Sequence, residues 1–71
     1  MNEFLSKVAE ILEVDSVTPE FRFREVADWD SMKGFTLIVL MESDYGKAMT
    51  VQEFLDCETV LDLARFAGVE E

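Results

Sequence analysis

Trp29-Asp30-Ser31-Met32-Lys33-Gly34-Phe35-Thr36-Leu37-Ile38-Val39-Leu40-Met41-Glu42-Ser43-Asp44-Tyr45-Gly46 is the stretch that decides how this chain folds. Asp30 is a favoured N-cap residue, because its carboxylate can accept from first-turn amides that have no partner inside a helix. Ser31 is then the first residue within the helix. Gly46 suits a left-handed cap at the other end. Between them Leu37, Leu40, Met41 and Tyr45 recur at helical spacing with Ile38 at their border, so residues 31–45 are predicted as a helix with one inward face. Met32, Phe35 or Thr36, and Val39 make a second apolar stripe. Two readings of that stripe stand: a central helix buries both, or the second stripe meets a partner, with Glu42 at its far end. The helix N-terminus itself offers unpaired N–H groups and partial positive charge, a favourable place for a phosphate on Ser31.

Outward from this helix the chain reads as further helices. Phe4, Leu5, Val8, Ile11 and Leu12 repeat at three and four residues, predicting a helix over residues 3–13. Residues 14–30 have no clean period and contain the only proline, Pro19. Such a long connection needs anchoring, and Phe21, Phe23, Val26 and Trp29 supply it. The alternation Phe21-Arg22-Phe23-Arg24 suggests a strand, but a lone strand would have no partner. Residues 51–55, capped by Thr50, form a short third helix, and Thr59 caps a last one through Ala67, followed by Gly68. The expectation is an all-α fold over residues 1–71 as a single domain: a small four-helix bundle with a short third helix and a long first loop.

Composition excludes several functions. Sixteen acidic residues against six basic ones leave a formal charge of −10, which repels nucleic acid and anionic membranes and favours partners with basic patches. A chain so charged is expected to be a monomer. No apolar run approaches the ~20 residues of a membrane span, and the start Met1-Asn2-Glu3 lacks the basic region of a signal peptide, so a cytoplasmic location is expected. There is no histidine, which removes the usual base for a serine nucleophile; Lys33 cannot replace it, because residues two apart on a helix do not face each other. No catalytic residue is therefore assigned. The lone Cys57 forms no internal disulfide and reads as a partly buried filler, its thiol pKa raised by Asp56 and Glu58. Asp28 to Gly34 imitates the opening of an EF-hand loop, but Met32 and Lys33 stand where an oxygen ligand and glycine belong, and Val39 stands at the closing glutamate; no specific metal site is expected.

An Asp-Ser pair by itself needs nothing beyond a helix start. The ordered set is more informative: Phe23 and Val26, then Asp30-Ser31-Met32, Leu37, Leu40-Met41-Glu42, Tyr45-Gly46, and late in the chain Thr59-Val60-Leu61-Asp62-Leu63. Nearly the whole chain thereby resembles the acyl carrier protein family. The resemblance implies that Ser31, flanked by Asp30 and Met32, carries a covalent 4'-phosphopantetheine arm taken from coenzyme A. It implies a phosphopantetheinyl transferase as one partner. Further partners would be an acyl- or aminoacyl-loading synthetase and downstream transferases of fatty acid or secondary metabolite biosynthesis, meeting Met32, Phe35, Thr36, Val39 and Glu42 through basic docking patches. Cargo would be held as a thioester on the arm, not on Cys57. The chain departs from the family pattern at Met32, where leucine is usual, and at Lys33 and Thr36, where acidic residues are common. This thins the charged recognition face and implies a dedicated loading enzyme as readily as general fatty-acid enzymes. The alternative from the residues alone is an unmodified acidic helical module that only binds a partner.

Overall fold

The computed structural model describes residues 2–69; Met1, part of the signal-peptide reading, lies outside them, as do Glu70 and Glu71. Helix α1 spans Asn2–Leu12, α2 Ser31–Tyr45, α3 Val51–Asp56 and α4 Val60–Ala67, with a 3-10 turn at Phe23–Glu25 in the first connection. The fold is the expected all-α four-helix bundle with a short third helix, and the described residues contain no strand. Phe21-Arg22-Phe23-Arg24 leads into the 3-10 turn instead, so Phe23 is buried without an edge to pair.

Local chemistry sets the helix ends. Asp30 Oδ1 accepts from the Lys33 amide at 2.9 Å and starts α2. Thr50 and Thr59 each close a reciprocal capping box, with Glu53 and Asp62 respectively. Asp62 also accepts from the Glu58 and Thr59 amides, which hold its carboxyl below the usual carboxylate range. The stability this contributes is complete above that range and is lost as pH falls through the lowered value. Gly46 and Gly68 adopt φ of 67° and 78°, the left-handed region that glycine enters without penalty. Glu13, just after α1, adopts φ 61° with a full side chain, at a cost of about 1–2 kcal/mol.

The core is shared among all the helices and the first loop. Phe4, Val8 and Leu12 of α1 meet Leu37, Leu40 and Met41 of α2, and Val60, Leu63 and Ala64 of α4, all buried. Of the apolar stripe of α1, Phe4, Val8 and Leu12 lie in the core, and Leu5 and Ile11 pack at its edge. Lys7 joins α1 to the end of α2 through Asp44 at 3.0 Å and lies over the Tyr45 ring. The long loop is bound by its backbone: the carbonyls of Phe21 and Pro19 accept from the Val60 and Leu61 amides at 2.9 and 2.8 Å. Arg24 then reaches across to donate to the carbonyls of Leu55 and Cys57, with its guanidinium over the Phe23 and Phe54 rings. The loop thus fixes both α3 and the start of α4.

Leu37 has no exposed surface. Truncation to alanine should cost about 2–5 kcal/mol, a large part of a small domain's total, in urea-melt midpoints at constant slope. A loss below about 1 kcal/mol would mean that the face assignment is wrong.

Candidate functional site

Ser31 stands exposed at the first position of the fifteen-residue α2. Its neighbouring amides are not all consumed. The Lys33 amide goes to the Asp30 carboxylate and the Gly34 amide to the Asp30 carbonyl, leaving those of Ser31 and Met32 without an acceptor inside the helix. The contrast with α4 is instructive. There the loop carbonyls and Thr59 occupy all four first-turn amides. The N-terminus of α2 therefore keeps an exposed hydroxyl beside two open donors and the positive end of a long helix. A phosphodiester on Ser31 fits this chemistry.

A groove of about 310 Å³ opens beside Ser31, walled by Phe35 and Ile38 of α2 and by Val51 and Leu55 of α3. Its inner end is an aromatic cluster. The Trp29 and Phe54 rings lie nearly parallel with centroids 6.3 Å apart, and Phe23 packs edge-to-face with Trp29 and at a tilt against Phe54. Gly34 permits this packing, since a Cβ there would stand 3.3 Å from atoms of both Phe54 and Trp29. Of the residues that line the groove, the sequence pattern gave Ser31 as the attachment site and Phe35 as part of the docking stripe, and gave Gly34, Ile38, Val51 and Leu55 no role at a site. One signal was available: Val51 and Leu55, four apart on a helix too short to bury two faces, remain 66% and 55% exposed.

The second stripe of α2 faces solvent. Met32, Phe35 and Val39 are 70%, 63% and 45% exposed, and Thr36 and Glu42 lie on the same open side. This excludes the reading in which a central helix buries both stripes. The Thr36 hydroxyl turns back to donate to the Met32 carbonyl at 2.8 Å. Lys33 does not thin this face, because its side chain runs inward. Cys57 is buried, and burial rather than its sequence neighbours is the leading cause of its raised thiol pKa, with Asp62 next and Arg24 opposing.

Residues 2–67 match the model of the family described as the phosphopantetheine attachment site. The chain belongs to this family, the acyl carrier protein domain. It is thus a carrier for covalent 4'-phosphopantetheine, a group whose terminal thiol binds cargo as a thioester. Domains of this kind work with a phosphopantetheinyl transferase and with synthetic enzymes, and are generally carriers rather than catalysts. Comparison with curated proteins gives no match, and comparison with solved structures gives none either. Among the described residues no carrier-domain helix is long and apolar enough to cross a membrane, and no group of three or more His, Cys, Asp or Glu side chains is placed to hold a metal.

Trp29 is the only tryptophan, so its emission reports on the groove. Gly34→Leu should force the Trp29–Phe54 stack apart, lower the melting temperature and shift the emission to the red. An unchanged spectrum would show that the glycine contact does not hold the cluster together.

Proposed function

We propose that the chain is an acyl carrier, residues 1–71 acting as one monomeric domain, with its arm on Ser31. The observation that carries this reading is the exposed Ser31 hydroxyl beside two open amides at the start of α2. In the attachment step Ser31 Oγ bonds to the pantetheine-side phosphorus of coenzyme A. The pyrophosphate linkage breaks, adenosine bisphosphate leaves, and the hydroxyl proton passes to a base of the transferase. Asp30 supports the step by fixing the first turn, and Met32 fills the position after the serine. Incubation with coenzyme A, magnesium and a transferase of broad specificity should add one arm to the parent by intact mass and none to Ser31→Ala. Full modification of Ser31→Ala would remove the assignment. An unmodified parent would leave the interaction-module reading in its place.

The apolar groove next to Ser31 favours an acyl cargo over an aminoacyl one, because a hydrocarbon chain gains by leaving water there and an ammonium group does not. Loading the arm-bearing protein from a panel of acids and amino acids tests that preference. The exposed strip of Met32, Phe35, Thr36, Val39 and Glu42 is the face that a loading synthetase would cover, its apolar residues giving contact area and Glu42 a charge for a basic partner. Val39→Asp should keep the parental helix content and melting temperature while slowing loading by the cognate synthetase about tenfold or more. An unfolded variant, or one loaded at the parental rate, would refute the docking role.

A further inference from the structure

Among the described residues Lys33 is the one buried charged residue, only 9% exposed although it lies two residues from Ser31 in the first turn of α2. A lysine beginning an amphipathic helix would ordinarily extend into water, since burying an ammonium is unfavourable without compensation. Here the compensation is specific. Nζ lies 3.1 Å from Glu13 Oε1 and donates to the Asp28 carbonyl at 3.1 Å. The carboxylates of Glu13, Asp28 and Asp30 together favour its charged form and raise its pKa against the effect of burial. One ammonium therefore joins three separate pieces of chain: the start of α2, the left-handed residue that follows α1, and the loop residue three before Ser31.

One backbone hydrogen bond, from the Trp29 amide to the Val26 carbonyl at 3.1 Å, also restrains the chain leading into Ser31. Asp28, Asp30 and Ser31 are exposed, and between them only Trp29 packs, through its ring. Asp30 must hold an extended backbone to cap α2, with φ −149° and ψ 172°. Without the ammonium, the Asp28 carbonyl loses its donor, and the carboxylates of Glu13, Asp28 and Asp30 lose the cation that each of them attracts. Glu13 meets Lys33 from a strained backbone. It keeps a left-handed backbone that disfavours a side chain, in the place where glycine would be easiest, and that side chain is the one Lys33 binds.

We propose that Lys33 is a positioning residue for arm attachment: through the Asp28 carbonyl and the Glu13 carboxylate it holds the Asp28–Asp30 segment, and with it the Ser31 hydroxyl, in the arrangement a transferase engages. This rests on Ser31 as the attachment site. Lys33 touches none of the reacting atoms and accepts no proton. Its effect is on the fraction of molecules that present a competent segment. When that fraction falls, apparent affinity falls in proportion, and the step after binding keeps its rate.

The test is the initial rate of arm attachment with coenzyme A, magnesium and a broad transferase, at a temperature where circular dichroism shows each protein folded. Lys33→Met should raise the KM for the carrier about tenfold, as expected if the competent segment falls to roughly a tenth of the population, with kcat unchanged. Lys33→Arg, which can reach both acceptors, should recover most of the loss. Glu13→Gln, which leaves the Asp28 contact, should fall between. A lower melting temperature for Lys33→Met with parental KM would show a merely structural lysine and overturn the proposal, as would a loss confined to kcat. If Lys33→Met does not fold, Glu13→Gln decides, and a parental KM there overturns it. Failure of the Ser31 assignment is distinguishable, because it appears as arm attachment to Ser31→Ala whatever stands at position 33.

Discussion

The close approach of two aromatic rings to the backbone at Gly34 is the constraint on which the rest of this small domain depends. Trp29 ends the long loop, Phe54 belongs to the short α3, and Gly34 lies in the second turn of α2, so a single contact brings three segments together. None of the three is secure alone. A six-residue helix is too short to persist without packing, and the loop has no repeating backbone pairing of its own. Docking both rings on the same patch of α2 fixes the direction from which the chain enters Ser31. It also leaves the outer ends of α2 and α3 apart, and that separation is the groove.

Helix α2 consequently serves three environments. Leu37, Leu40 and Met41 fill the core, Ile38 and Phe35 wall the groove, and Met32 and Val39 meet water. A helix apolar on nearly every side is normally buried on every side. Here its neighbours cannot cover it, because α3 is short and the loop passes beneath the first turn only. A formal charge of −10 opposes, by like-charge repulsion, burial of the exposed apolar strip between two copies.

Most of the fold was legible because the chain marks its helix ends with residues whose chemistry is local. Asp30, Thr50 and Thr59 each cap the helix that follows, and Gly46 and Gly68 each close one by turning left-handed. The inward face of α2 was legible for the same reason, from spacing alone. The rest depends on contacts between residues far apart in sequence. Nothing near Arg24 indicates that it ends on the carbonyls of Leu55 and Cys57 at the close of α3, and nothing near Lys33 indicates that its side chain turns under the helix toward Glu13. Phe21 to Arg24 alternates like a strand, and only the absence of a neighbouring strand decides for a 3-10 turn. At the candidate site, Ser31 and the strip followed from order along the chain. The groove required knowing which residues of α3 come to rest beside α2.

The burial of Cys57 has a chemical consequence for a protein that works through a thioester. Exchange between thioesters requires a thiolate that can reach the carbonyl, and the only sulfhydryl of the polypeptide is enclosed and held in its neutral form. Cargo delivered to the arm consequently has no accessible second thiol on the polypeptide to migrate to. The bare polypeptide should also react slowly with thiol-directed alkylating agents, whereas an attached arm adds one sulfhydryl at the end of a flexible tether. Rapid alkylation then counts free arms, and its disappearance counts occupied ones, so the state of the carrier is readable without any knowledge of what it carries.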